Sequence, residues 1–413
     1  MPGPQSGPLT GTLVVDLTRA LAGPHAGMML GDLGARVIKV ESPGTGDDTR
    51  GWGPPFVQPE EGNRESTYFL STNKNKESIT LDLKDDADKA VLTELLRRAD
   101  VLLENFRPGT LDRLGFGTTV LEALNPRLVT LAISGFGHDG PEGGRAGYDQ
   151  IAQGEGGLMS LTGSAPDDPQ RVGVPIGDLL AGMYGAYGVL AALLERERTG
   201  RGQVVRTSLL AAIVGVHAFQ GTRWTVAGEV GRSQGNHHPS IAPYGLFRCR
   251  DGSVQVACAN ESLWRRLCDE FALDPETPGM GTNGDRVEHR DEVITLLERT
   301  FADISPEDLL ARLSKAGIPA GKVRTIDDVY GWDQALSQGL LVDVDHATLG
   351  RVSLPGPPLR FFAPGPDGEV ETTRTAHAAP PVLGADGDAI RAWLASDGGP
   401  QPDGADVEDG HAT

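Results

Sequence analysis

Short apolar runs that alternate with helical segments are what most narrows the folds open to this chain. Thr12–Leu17 is a buried strand. It ends at the Ala22-Gly23-Pro24 turn, which starts a helix through about Leu33, and Arg36–Val40 is the next strand. Ile79–Leu83, a helix over Asp85–Arg98, Val101–Leu103 and Leu128–Ile133 continue the alternation. Strands of this length separated by helices predict an α/β fold with a parallel, Rossmann-like sheet covered on both faces. Ligands on such sheets lie beyond the carboxyl ends of the strands, so the segments after those ends are the ones to inspect.

The chain has 413 residues, enough for more than one domain. The pattern divides it into a large α/β domain over 1–227 and a smaller α+β domain over 228–325. A proline-rich strap over 326–396 returns to the large domain, and an acidic, Gly- and Pro-containing tail over 397–413 reads as disordered. The Gly228–Ser240 stretch, rich in Gly, Asn, His and Ser, serves as the linker between the domains. A helix opening at Asp178 runs to about Arg198, and another covers Ser208–Val226.

The net charge of −20 argues against a nucleic-acid partner, whose phosphates need a basic footprint. An anionic small ligand would have to find a local cluster of cations. The three cysteines form no CxxC pair and indicate neither a disulfide framework nor a zinc site, and no metal is expected. No apolar run is read as a membrane span, and the N-terminus lacks the basic and apolar regions of a signal peptide. A cytoplasmic protein is the expectation.

Three places carry candidate chemistry. In Gly177-Asp178, an acidic residue sits at or beside the N-cap of a long apolar helix, where the helix dipole favours its ionised form. That window alone leaves an ordinary cap and a nucleophile both open. After the strand ending at Leu103, Asn105 offers an amide, Phe106 an aromatic face, and Arg107 and Arg113 partners for phosphate; solvated arginines on a plain connection are the bland alternative. In Arg145-Ala-Gly-Tyr-Asp149, Tyr148 and Asp149 open a helix that would share a crevice with Asp178 if the two helices are neighbours. His237 and His238 are a poor chelate and read better as a surface or acceptor-binding loop.

In order, Ala22-Gly-Pro24, Glu104-Asn-Phe-Arg-Pro-Gly109, Gly147-Tyr-Asp149, Gly177-Asp178, Thr199-Gly-Arg-Gly-Gln203 and Gly317-Ile-Pro-Ala-Gly321 resemble the class III CoA-transferases. That superfamily includes formyl-CoA transferase, carnitine CoA-transferase and alpha-methylacyl-CoA racemase, and the resemblance runs from about Gly11 to Trp393. It implies transfer of coenzyme A from an acyl-CoA thioester to a free carboxylic acid through aspartyl anhydride and aspartyl-CoA intermediates, with Asp178 as nucleophile. It further implies that CoA is held at Leu21, Ala22, Leu81, Asp82, Leu83, Lys84, Asn105, Phe106, Arg107, Arg113, Arg145, Ala146, Gly147 and Tyr148. Asp149, His237 and His238 would face the substrate, and two copies would form an interlocked homodimer. The Gly235–Gly245 segment resembles members acting on small dicarboxylates such as succinate or glutarate, while the glycine-rich lid of the formyl-CoA enzymes is not visible before Asn260. A 2-methylacyl-CoA racemase and a non-catalytic CoA-binding protein are the alternatives. Tyr148, standing where the racemase branch has histidine, weighs against the first.

Overall fold

The protein is seen here as a computed structural model that describes residues 7–60, 62–366 and 368–396; the expected acidic tail over 397–413 lies outside them. Strands β1 (Leu13–Asp16), β2 (Arg36–Glu41), β5 (Lys76–Thr80), β6 (Val101–Glu104), β7 (Val129–Ser134) and β8 (Val204–Ser208) form one parallel sheet in the order β5-β2-β1-β6-β7-β8. β3 (Phe56–Val57) and β4 (Glu65–Ser66) make a separate antiparallel pair. Among these elements run α1 (Ala22–Asp32), α2 (Thr67–Leu70), α3 (Asp86–Arg98), α4 (Thr110–Arg113), α5 (Thr118–Leu124), α6 (Asp149–Glu155), α7 (Ile176–Thr199), α8 (Leu209–Gly215) and α9 (Ala218–Ala227). β1, β6 and β7 are buried along their whole length, as central strands covered on both faces must be.

Internal contacts divide the chain into two compact units. One runs to Gly157 and adds Gly173–Ala218 and the residues from Asp333 onward; the other comprises Leu158–Val172 and Phe219–Trp332. The second unit includes 158–172, which the sequence places in the large domain. The reason is backbone pairing, because Ser233 N–H donates to Ser160 O at 3.1 Å and Gly235 N–H to Gly163 O at 3.0 Å. Its sheet is antiparallel, β11-β10-β9, from β9 (Tyr244–Cys249), β10 (Gly252–Ala257) and β11 (Ala320–Lys322). α10 (Glu261–Phe271), α11 (Asn283–Glu288), α12 (Arg290–Phe301), α13 (Pro306–Lys315) and α14 (Ile326–Tyr330) complete it, and Trp264, Leu267, Phe301 and Leu309 lie in its core.

Several sequence expectations shift. The strand expected at Ile79–Leu83 is β5, three residues earlier, because its first residue is a buried lysine that hydropathy reads as a loop. The single helix expected over Ser208–Val226 breaks between α8 and α9, where Ala218 has φ +47° and His217 Nε2 lies 2.7 Å from Gly156 O. The strap is not merely extended. After α15 (Asp333–Ser337) come two hairpins, β12 (Leu341–His346) with β13 (Gly350–Pro355) and β14 (Phe362–Gly365) with β15 (Gly368–Glu371), and then α16 (Gly387–Ala395). α7, not read as a span from the sequence, is long and apolar enough to cross a bilayer by length and composition, and 44% of the relevant window is buried within the protein.

A buried charge network gathers around the carboxyl end of β1, reached by lysines from β2 and β5. Lys76 Nζ donates to Asp16 Oδ2 at 2.9 Å, Pro24 O at 2.8 Å and Asn73 Oδ1 at 2.9 Å. Lys39 Nζ donates to Thr18 O at 2.9 Å and pairs with Asp47 at 2.8 Å. Burial works against the charge on Asp16, but Lys76 and Lys39 outweigh it and hold the carboxyl at about 2. α1 can lie against this network because it turns Gly27 toward it; a Cβ there would sit 3.0 Å from Asp16 Oδ2 and 3.3 Å from Lys76 Nζ. α7 approaches α1 as closely, since a Cβ on Gly182 would lie 2.6 Å from Ala22 O. Removing one partner of a buried pair leaves an uncompensated charge. Lys76→Met should therefore cost about 3–5 kcal/mol, read as a lower urea midpoint of the unit that carries the parallel sheet.

Candidate active site

Asp178 is the third residue of α7 and not its cap; Pro175 holds the cap position and makes no side-chain cap. The cap comes from another helix. Asp149, at the start of α6, accepts with Oδ1 from Gly177 N–H at 2.7 Å and from Asp178 N–H at 3.4 Å, and with Oδ2 from Gln153 Nε2 at 2.7 Å. The two helices are thus neighbours, and Asp149 and Asp178 share one turn of backbone. Burial first, and the charge of Asp149 second, push the Asp178 carboxyl up to about 7. The expected dipole-favoured ionisation is corrected on that point, because the dipole's anion place is already filled by Asp149. No side-chain hydrogen bond to the Asp178 carboxyl is found among the described residues.

Tyr68 is a residue the sequence reading missed. Its phenol is pushed up by burial and then by Asp178 and Asp149, which puts it within electrostatic range of both carboxyls. Ser66 caps the one-turn helix α2 that carries Tyr68, accepting from Tyr68 N–H at 3.1 Å, and Trp52 meets its ring edge-on at 5.1 Å. A tyrosine in a four-residue helix leaves no periodic signal, so only the packing reveals it.

The loop after β1 is set by two clamps. Asn105 accepts from Arg19 N–H at 2.9 Å and donates to Arg19 O at 2.7 Å. Asp47 Oδ1 accepts from Ala20 N–H at 3.1 Å, where Ala20 is held at φ +67°. Asn105 therefore spends its amide on the loop that leads into Leu21 and Ala22, both buried. Arg19 rests over the Phe106 ring at 5.8 Å and reaches Asp48 only at 3.8 Å. Phe106 N–H donates to Glu104 Oε2 at 2.9 Å, and burial pushes the Glu104 carboxyl up to about 7.

The remaining expected residues differ in how far they are engaged. Leu81 is buried and Leu83 packs against the sheet core; Asp82 Oδ1 accepts from Lys84 N–H at 3.0 Å, leaving the Lys84 side chain exposed. Arg107 is exposed, and Arg113, at the end of α4, donates to Thr110 Oγ1 at 2.7 Å. Arg145 lies over Phe136 at 4.4 Å and is already paired with Glu155 at 2.5 Å and Glu142 at 3.3 Å. Ala146 is exposed, and Gly147 packs on Gly135, where a Cβ would come within 2.9 Å of backbone. Tyr148 is 67% exposed. Topology thus brings Arg19, Lys84 and Arg107 to loops that follow β1, β5 and β6, and Arg113 to the short helix after β6, at the carboxyl edge of one sheet. A cavity of ≈ 410 Å³ lined by Glu104, Arg107, His138 and Arg206 includes neither Asp178 nor Tyr148, so it is not where the two carboxyls meet.

His237 and His238 belong to the second unit. His238 is stacked between Phe219 at 5.6 Å and Tyr244 at 5.2 Å, and His237 meets Phe247 edge-on at 5.5 Å. Burial and the nearby Arg290 push both imidazoles down, toward the neutral form. Among the described residues no group of three His, Cys, Asp or Glu side chains is placed to hold a metal ion. Burial pushes the Cys258 thiol up to about 12 and that of Cys268 to about 11, which removes them as nucleophiles near neutrality.

Comparison with known proteins identifies the family. The succinyl-CoA:glutarate CoA-transferase of Mus musculus is 40% identical over 357 residues, covering 86% of this chain and 80% of its own. The succinate–glutarate CoA-transferase of Agrobacterium fabrum is 38% identical over 371 residues, covering 87% and 92%. A crystal structure of a CAIB/BAIF family protein from Brucella suis superposes with a TM-score of 0.82 at 39% identity, covering 94% of this chain and all of that one. The sequence profile of CoA-transferase family III matches residues 9–387, and the chain belongs to that family of CoA-transferring enzymes.

Proposed function

We propose that this CoA-transferase takes CoA from succinyl-CoA and gives it to a small dicarboxylic acid of the glutarate type, with Asp178 as the nucleophile. The observation that carries the reading is the Asp178 carboxyl itself. It is half-buried on the first turn of α7, free of side-chain partners among the described residues, beside Asp149 and within electrostatic range of Tyr68. The acid pair is supported by the names of the mouse and Agrobacterium relatives.

In the ionised form, an Asp178 oxygen attacks the thioester carbonyl; the C–S bond breaks and its electron pair leaves on the CoA thiolate, giving a mixed anhydride. The thiolate then attacks the Asp178 carbonyl carbon and releases succinate, leaving an aspartyl-CoA thioester. The acceptor carboxylate attacks that carbon, expels the thiolate and forms a second anhydride. Attack of the thiolate on the acceptor's acyl carbon yields the new thioester and regenerates Asp178. Each step conserves an activated acyl bond, so no nucleotide is consumed. The Tyr68 phenol, held in its protonated form by burial and by the two carboxyls, is available to donate to oxygen that gains charge in the tetrahedral states.

CoA brings phosphates to a protein of net charge −20, so its anchors are local. Arg19, Lys84, Arg107 and Arg113 are assigned to that task, with Phe106 beneath the base. Arg145 joins them only if ligand displaces Glu155. A homodimer is supported by the outer face of α7, where Met183, Tyr187, Leu190 and Leu194 recur at heptad-like spacing, with Tyr187 71% and Leu194 76% exposed. Interlocking of the two copies is the form assigned to it.

Asp178→Asn should abolish exchange of labelled succinate into succinyl-CoA and also the adduct that hydroxylamine traps in the wild type. Turnover within tenfold of wild type would overturn the nucleophile. Arg113→Ala should weaken CoA binding by about 1–3 kcal/mol, with a smaller loss at high salt, in a calorimetric titration. Sedimentation should give a dimer for the wild type, and Tyr187→Glu with Leu194→Glu should shift it toward monomer.

A further inference from the structure

Asp149 makes no step in the exchange written above, yet it is the group closest bound to the backbone of the nucleophile. Its two oxygens collect Gly177 N–H, Asp178 N–H and the Gln153 amide. Gly177 is what lets it approach, since a Cβ there would stand 3.1 Å from Asp149 Oδ1 and 3.0 Å from Ile213 Cδ1. The first turn of a helix is a ready-made seat for an anion, and Asp149 occupies it permanently. Asp178, two residues inside the same turn, must form its own charge opposite that anion.

Among the described residues packed against α7, no cation is found to offset the opposition. From α2 comes Tyr68, a phenol held protonated. From α1 comes His25, which packs against Gly182 one turn on, and which burial, then Lys74 and Lys76, push down to about 4 and so keep neutral. α8 and β7 carry no ionisable side chain. β8 contributes Arg206, whose charge falls on Glu104 and His138.

We infer that Asp149 is a positioning residue for the nucleophile, pinning the first turn of α7 and, through its charge, favouring the states in which Asp178 is acylated and uncharged. The inference rests on the reading of Asp178 as nucleophile. When an Asp178 oxygen bonds to the acyl carbon, or its carbonyl carbon bonds to sulfur, the negative charge leaves on thiolate or on the departing carboxylate. The repulsion inside the turn then ends. Asp149 thereby raises the basicity of the attacking oxygen and makes the covalent intermediates relatively more populated. A neutral cap would pin the turn equally well and supply neither effect.

The test uses two neutral caps, Asp149→Asn and Asp149→Ser, each of which keeps an oxygen for Gly177 N–H. The wild-type kcat/KM should fall as pH drops through about 7, where Asp178 takes up its proton. In both variants that limb should move to lower pH by about one unit, so activity at pH 5.5 relative to each plateau rises up to about tenfold. With saturating succinyl-CoA and no acceptor, the fraction of enzyme trapped by hydroxylamine should drop several-fold, and Asp149→Glu should restore part of it. A purely structural role would lower activity at all pH values and leave the limb in place, which overturns the inference, as does an unchanged trapped fraction in either folded variant. If the wild type forms no adduct, Asp178 is not the nucleophile and both readings fall. An adduct in the wild type with unmoved variants removes only the role of Asp149.

Discussion

Two lysines buried to the last atom, Lys39 and Lys76, hold together the end of the sheet on which the candidate site stands. Each reaches from one strand to oxygens on other segments: Asp16 on β1, Thr18 in the turn after it, Pro24 in α1, Asn73 just before β5, and Asp47 beyond β2. An ion pair in such a place is weak as a source of net stability, because desolvation opposes it, but strong as a specification. Any register or loop path that leaves one of these charges unmatched is costly. The turn carrying Arg19, Ala20 and Leu21 is thereby forced into one shape before any ligand arrives.

The same electrostatic economy governs the carboxyls. Asp16, Asp47 and Glu41 are surrounded by cations or donors and held below the ordinary carboxylate range against the cost of burial. Asp178 is buried with an anion for its neighbour and goes the other way. One fold thus keeps some carboxyls as structural charges and pushes another toward its neutral form. The difference lies in the sign of the nearest partner rather than in depth.

Much of this was legible from residues alone. The strand–helix alternation fixed the parallel sheet, and a small residue before an acidic one at the head of a long apolar helix pointed to Gly177 and Asp178. What escaped had physical reasons. β5 begins with a lysine whose burial depends on Asp16, sixty residues earlier, and no local pattern reports that pairing. Tyr68 comes within electrostatic range of the carboxyls from a single helical turn too short to have a period. Asn105 looks like a free ligand amide in sequence, whereas its two hydrogen bonds close on the Arg19 backbone. The expected ionised cap at Asp178 failed because an N-terminal helix turn can be capped by a side chain from elsewhere, and Asp149 sits twenty-eight residues upstream of the N–H it binds best.

The far end of the chain also closes on this region. Pro381 O accepts from Arg50 at 3.0 Å, Gly384 N–H donates to Ser78 Oγ at 2.8 Å, and Asp386 accepts from Ser78 N–H at 2.8 Å. Arg50 and Ser78 in turn hold Glu41, which accepts from Asp47 N–H at 3.0 Å. The loop beside the site is therefore fastened by residues from far along the chain. A chain can build its central strands from nearer residues, but it cannot present a fully seated Asp47 loop until Pro381, Gly384 and Asp386 have been made and docked. A product cut short before Pro381 would carry Asp178 beside a sheet whose neighbouring loop lacks its last fastenings.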